Sequence, residues 1–244
     1  MKIKGVDLSY CQEGISFPAL KQAGVKFAII RAGFSTKKDV TMDKFVADCK
    51  KYGIDYGFYW YSYAMSVEQA EAEAKKCISV IKELSPTYPV FFDMEEKKQI
   101  SGLSTDTRTK MAIAFCEKIK QAGLKVGIYA NPSFMENYYD KQQFIGKYDI
   151  WLAHWTESPD KPSKYDYGQT MWQWGLDKID GYDIDGDICF CEYVNPTPVK
   201  KTVEQLAKEV IRGDWGNGAE RKQKLTAAGY DYSAVQKRVN KLLR

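Results

Sequence analysis

Between residues 3 and 131 the chain alternates, without a break, between short apolar runs and segments with helical spacing. Ile3 to Leu8, Lys26 to Ala32, Asp55 to Tyr63, Tyr88 to Glu96 and Lys125 to Asn131 read as strands. Helices are expected between them at 17–23, 41–52, 66–84 and 104–122, the first, second and last stopped at Gly24, Gly53 and Gly123. The clearest is Ser66 to Leu84, where Ala70, Ala74, Cys77, Ile78 and Ile81 make one apolar stripe and Ser66 and Gln69 stand at capping-box spacing. Strict alternation of this kind calls for parallel strands with helical crossovers.

The pattern then changes. Ile150 to Trp155, Met171 to Trp174 and Asp187 to Tyr193 read as strands joined by polar loops, with only short helical turns between Pro132 and Phe144. Five strand–helix units and three helix-poor strands make eight strands, enough to close a barrel without an edge. Residues 1–195 form this α/β unit, and the Pro-Thr-Pro stretch opens a linker at 196–202. Residues 203–244 form a small all-α module of three helices, the first with Val203, Leu206, Ala207, Val210 and Ile211 on one face.

Within this frame Tyr88 to Glu96 carries the chemistry. Side chains alternate along a strand, so Phe91, Asp93 and Glu95 share one face and Val90, Phe92 and Met94 the other. Carboxylates at the exit of a buried strand stand at the carboxyl end of the sheet, where α/β enzymes keep their sites. Asp7 leaves the first strand at the same end. Gly57, Tyr59, Tyr61 and Tyr63 share a face of the third strand, as wall of a polar cleft or as packed core. Arg31 lies inside an apolar strand, where an arginine usually pairs with a carboxylate.

The 17 tyrosines and 6 tryptophans suit carbohydrate binding. Residues 203–244 hold 9 Lys and Arg against 5 Asp and Glu, the whole of the +4 net charge, which points to an anionic partner for the tail or to a solvated basic face. The six cysteines lack a framework spacing and are read as reduced. No metal site or cofactor is expected: one histidine, His154, is read as structural, and Asp183-Ile-Asp185-Gly-Asp187 fails as a calcium loop at its sixth and twelfth positions. No nucleic-acid partner and no membrane insertion are expected, since there is no Gly-rich phosphate loop and no long apolar run. No signal peptide is expected ahead of the first strand, since Met1-Lys2-Ile3-Lys4-Gly5 runs straight into it.

Several runs in order resemble the lysozymes of glycoside hydrolase family 25: Gly5-Val6-Asp7-Leu8-Ser9 with Gln12, Ile30-Arg31-Ala32 and Gly57-Phe58-Tyr59-Trp60-Tyr61-Ser62. Phe92-Asp93-Met94-Glu95, Gly127-Ile128-Tyr129, Trp151-Leu152-Ala153 and Trp172-Gln173 continue the series. Residues 203–244 are similar to the three-helix wall-binding repeats of some phage lysozymes, through Leu206-Ala207, Val210-Ile211, Gly213-Asp214-Trp215-Gly216-Asn217-Gly218, Arg221 and Leu225-Thr226-Ala227-Ala228-Gly229-Tyr230. The resemblance implies a modified TIM-like barrel and an N-acetylmuramidase of endolysin type. Such an enzyme would act on peptidoglycan glycan strands and would hold wall muropeptide through 203–244. It would be made in the host cytoplasm and released through a holin-type pore, a secreted bacterial form being the alternative. It further implies Asp7 and Asp185 as site carboxylates, with Asp187 the alternative register to Asp185, and Arg31, Tyr61, Tyr129, Trp151 and Gln173 as sugar contacts.

Cleaving a glycosidic bond takes a general acid and a group that stabilises an oxocarbenium-like centre, roles assigned to Glu95 and Asp93. Positions i and i+2 on a strand lie about 6.5–7 Å apart, between the separations typical of retaining and of inverting enzymes. A substrate-assisted route, with Asp93 orienting the 2-acetamido group, is also open. Two other readings compete: a chitinase-like hydrolase, against which Phe91 stands where that signature has an aspartate, and a non-catalytic wall-binding protein on a degenerate barrel.

Overall fold

A computed structural model describes residues 1–193 and 201–243. The chain divides into two compact units, Met1–Asn195 and Pro196–Arg244. Of the expected linker, 196–200 lie outside the described residues.

The first unit is built from β1 (Ile3–Leu8), α1 (Phe17–Gln22), β2 (Phe27–Phe34), β3 (Lys37–Lys38), α2 (Met42–Tyr52), β4 (Asp55–Tyr61), α3 (Val67–Ile81) and β5 (Val90–Asp93). It continues with α4 (Lys97–Gly102), α5 (Thr105–Gln121), β6 (Val126–Ala130), α6 (Pro132–Asn137), β7 (Asp149–Ala153), β8 (Met171–Ile179) and β9 (Tyr182–Cys189). The sheet order is β1-β9-β8-β7-β6-β5-β4-β2, and β1 also pairs with β2, so the barrel closes; β3 only extends β2. Neighbours in the closed ring are parallel except β9, which is antiparallel to β8 and to β1; the short β3 is antiparallel to β2. The expected α/β barrel of five strand–helix units and three helix-poor strands is the one observed.

Two expectations about strands need correction. β8 runs to Ile179 rather than Trp174, and β9 spans 182–189 rather than 187–193. An Asp180-Gly181 turn joins them, both residues at positive φ (54° and 79°), the geometry that matches hairpin twist. A register shift between Gln173 and Gly175 breaks the period-two pattern and hides the strand from a periodicity reading. The acidic strand is also shorter than expected. Ser62 N donates to the Asp93 carbonyl at 2.7 Å and β5 ends there, so Glu95 stands in the turn before α4.

Alternation sorts the strand residues into two layers. Phe27, Ile29, Tyr88, Phe91, Trp151, Met171 and Cys189 fill the barrel. Glycines make room for these rings: a Cβ on Gly5 would lie 2.2 Å from the Phe27 ring, and one on Gly127 2.7 Å from Phe91. On the outer face Val6, Leu8, Ile30, Phe58, Trp60, Phe92, Ile128 and Leu152 pack with Phe17, Phe45, Ala74 and Phe115 from the helices. Truncating one such buried ring to Ala costs about 3–5 kcal/mol, a large part of a domain's stability. No helix among the described residues is long and apolar enough to cross a membrane.

The second unit is α7 (Val203–Arg212), α8 (Gly218–Ala227) and α9 (Tyr232–Leu242). Thr202 caps α7 by accepting from Gln205 N, and Gly213 ends it in the left-handed region (φ 91°). Leu206, Ala207, Val210, Leu225, Val235 and Val239 are its buried core, thin enough that polar locks matter. Trp215 Nε1 donates to Glu209 at 3.0 Å. Arg221 donates to Gly216 O, Gln236 Oε1 and Asn217 Oδ1, each at 3.0 Å, tying the first interhelical loop to α9.

Candidate active site

The carboxyl ends of β1 and β5 deliver Asp7 and Asp93 to one end of the barrel, and antiparallel β9 delivers Asp185 and Asp187 there from the opposite direction. Asp7, Asp93 and Asp187 are buried, at 8%, 5% and 0% exposure; Glu95 and Asp185 are half-buried. The four expected carboxylates are thus brought together, with Asp187 as a fifth. The Asp185 or Asp187 alternative becomes a division by depth. Asp185 stands at the mouth, whereas Asp187 lies sealed below it, accepting from Trp151 Nε1 at 2.7 Å.

Such crowding opposes ionisation. Burial first, then the charges of Asp185 and Glu95, hold Asp7 well above the usual carboxylate range, against the pull of the Gln173 amide. Asp93 is held well above it by burial, Glu95 and Asp7, with Arg31 pulling down. Glu95 is raised by burial, Asp185 and Glu96, and Asp185 by burial. Asp187 is pushed well up by burial and then by Asp7. Asp93, assigned to stabilise positive charge, meets this opposing field, and its Oδ1 is buried with no hydrogen-bond partner.

Around the carboxyls, Gln173 organises a polar rim. Its Nε2 donates to Asp7 Oδ2 at 2.9 Å, and its Oε1 accepts from Tyr129 Oη and Trp155 Nε1, both at 3.2 Å. Tyr61 Oη donates to Glu96 Oε1 at 2.9 Å. Arg31 finds its carboxylate in buried Asp39, donating from Nε at 2.7 Å, and its guanidinium lies 4.7 Å from the Tyr10 ring centroid. Trp151 differs from its expected role as a sugar contact. Tyr59, Phe91 and Tyr129 pack on its indole and leave it 2% exposed, so it supports the floor through Asp187. His154 has a main-chain role, its carbonyl accepting from Trp172 Nε1 at 2.8 Å.

Sequence reasoning missed Asp39, Glu96, Trp155 and Tyr10. Trp155 and Tyr10 are 57% and 54% exposed beside the rim, aromatic faces of the kind sugars stack on. A tryptophan closing the apolar run Ile150 to Trp155 was the available signal; Asp39 and Tyr10 come together only through the fold.

Residues 6–180 match the Glycosyl hydrolases family 25 profile, and residues 204–243 match the CW_7 repeat. The chain belongs to glycosyl hydrolase family 25. Among similar proteins, the lysozyme of Streptococcus phage Cp-7 is 28% identical over 231 residues, which are 91% of this chain and 65% of that protein. The catalytic domain of endolysin Ply40, from bacteriophage P40 of Listeria monocytogenes, is 26% identical and superposes with a TM-score of 0.63 over 78% of this chain and 93% of that one. The autolysin LytC of Streptococcus pneumoniae, solved with a synthetic peptidoglycan ligand, shares the fold at 24% identity and TM-score 0.66, over 78% of this chain and 47% of that one. The family 25 match stops before β9 and so does not cover Asp185 and Asp187, which the closed barrel brings to the site.

Proposed function

We propose that the chain is an endo-acting N-acetylmuramidase that hydrolyses the β-1,4 bond between N-acetylmuramic acid and N-acetylglucosamine in peptidoglycan. The observation that carries this is the cluster of mutually raised carboxyls in the mouth of a family 25 barrel. Glu95, the half-buried member on a turn, holds its proton to higher pH than a free glutamate and gives it to the leaving oxygen. Asp93 works as the partner. Its unpaired Oδ1 accepts from the substrate's acetamido N–H, and its carboxylate form stabilises the positive charge that develops on the sugar ring. Asp7 and Asp185 keep that field in place, and Tyr61, Tyr129, Gln173 and Arg31 line the approach. Digestion of purified peptidoglycan should leave muramic acid at the new reducing ends; ends carrying glucosamine would overturn the bond assignment.

Residues 203–244 hold the enzyme on wall muropeptide, consistent with their CW_7 match and basic charge. As for the phage lysozymes it resembles, the place of action is the cell wall, reached through a holin-type pore. Removing 203–244 is expected to lower sedimentation with cell walls at least about tenfold, the scale of avidity a second binding module adds. Cleavage of soluble glycan fragments should stay within about twofold, because the barrel closes within residues 3–189. Equal sedimentation of the full and shortened proteins would remove the targeting role.

A further inference from the structure

Gln99 is fully buried, at 0% exposure, in the first turn of α4, and its side-chain amide reaches two neighbouring loops. Its Nε2 donates to Ser62 O at 3.0 Å and to Ala64 O at 2.9 Å, both in the segment that follows β4. Its Oε1 accepts from Glu96 N at 3.0 Å. Its own carbonyl accepts from buried Arg108 Nη1 at 3.0 Å, and the same guanidinium binds Ile100 O at 3.0 Å and Tyr138 O at 2.9 Å. Arg108 thereby fixes α4 against α5.

The turn that carries Glu95 is thus fastened on both sides to one support. On the near side, Ser62 N holds the Asp93 carbonyl. On the far side, Gln99 holds Glu96 N while Tyr61 holds the Glu96 carboxylate. The support is itself braced from behind by buried Glu73, whose Oε1 accepts from Tyr63 N at 3.0 Å. Glu95 itself has only the two residues between these anchors in which to move.

We infer that Gln99 is a positioning residue for the general acid, its amide setting where the Glu95 carboxyl stands among the site carboxylates. This rests on the reading of Glu95 as the acid. A plain helix cap would need only the bond to Glu96 N. The two bonds to Ser62 O and Ala64 O add nothing to α4 and serve only to hold one loop against the other. The groups facing Glu95 are Asp7 on β1, Tyr61 on β4, Asp93 on β5, Tyr129 on β6, Tyr139 after α6, Asp185 on β9 and Glu96 on its own turn. Release of the turn lets Glu95 swing from this acidic ring toward water, and its pKa falls toward that of an ordinary glutamate.

Gln99→Met keeps the length of the side chain and removes all three bonds. On soluble glycan fragments it is expected to lower kcat about 10- to 100-fold, the scale of a misplaced catalytic group, with KM within about twofold. The alkaline limb of the kcat–pH profile should move to lower pH. Gln99→Glu gives a second reading: its neutral acid form regains one donor, so its activity relative to wild type should recover as pH falls. Glu95→Gln serves as the control. A folded Gln99→Met with wild-type kcat and an unmoved alkaline limb overturns the inference, provided Glu95→Gln is inactive. An active Glu95→Gln would instead overturn the assignment of the acid. If Gln99→Met does not fold, Gln99→Glu decides, and a constant ratio to wild type across pH counts against positioning.

Discussion

Replacing Glu95 with Gln is expected to lower muralytic turnover by about 10²–10⁴-fold, the usual contribution of a positioned acid, with thermal stability at neutral pH unchanged or raised and wall sedimentation unchanged. The amide keeps the size of the side chain and removes only the proton. Glu95 is half-buried on a turn, and burial, Asp185 and Glu96 oppose its ionisation, so loss of its charge does not weaken the fold. Wild-type turnover should fall with rising pH as Glu95 ionises. Burial, Asp185 and Glu96 place that fall above the 4.5 of an ordinary glutamate. The measurement is release of reducing ends from purified peptidoglycan across pH, beside a melting curve. Equal release by both proteins would remove Glu95 from the role.

Asp93→Asn is expected to act in opposite directions on activity and stability. Turnover should drop by about 10²-fold or more, because an amide cannot supply negative charge to the developing cation. The fold, however, should gain on the order of 1–2 kcal/mol at neutral pH. The sign follows from linkage. The folded carboxyl of Asp93 is held well above its ordinary 3.8, so its favourable contribution is complete below about 3.8 and is lost as pH rises toward the folded value. An amide carries no such loss. The melting temperature of wild type should therefore decline from about pH 4 upward, and more steeply than that of the variant. A variant that melts lower than wild type at pH 7 would show that Asp93 supports the fold and would refute the assignment.

Much of the barrel was legible because its strands are buried and its helices amphipathic. The runs around Ile29, Phe58, Phe91 and Ile128 announce themselves by composition, and Gly24, Gly53 and Gly123 mark helix ends. The failures have local causes. The β8–β9 hairpin was obscured by the shift after Gln173, and an Asp-Gly signal at 180–181 was passed over. α4 is too short for periodicity to show, although Glu96-x-x-Gln99 has the spacing of a helix start. At the site, Asp7, Asp93 and Glu95 were readable from their place at strand exits. The pairing of Arg31 with Asp39, of Tyr61 with Glu96 and of Gln173 with Asp7 was not, since each joins segments that only the closed barrel makes neighbours. The depth of Trp151 was hidden for the same reason. A tryptophan within a strand reads alike whether its face is open or covered.

The ring is closed by the first strand and the last, Ile3 opposite Cys189 and Gly5 opposite Asp187. During synthesis β1 emerges first and waits, one edge unpaired, until nearly the whole barrel has left the ribosome. Asp7 likewise waits for Asp185 and Asp187. A nascent or prematurely terminated chain therefore carries neither a sealed sheet nor a complete set of acids.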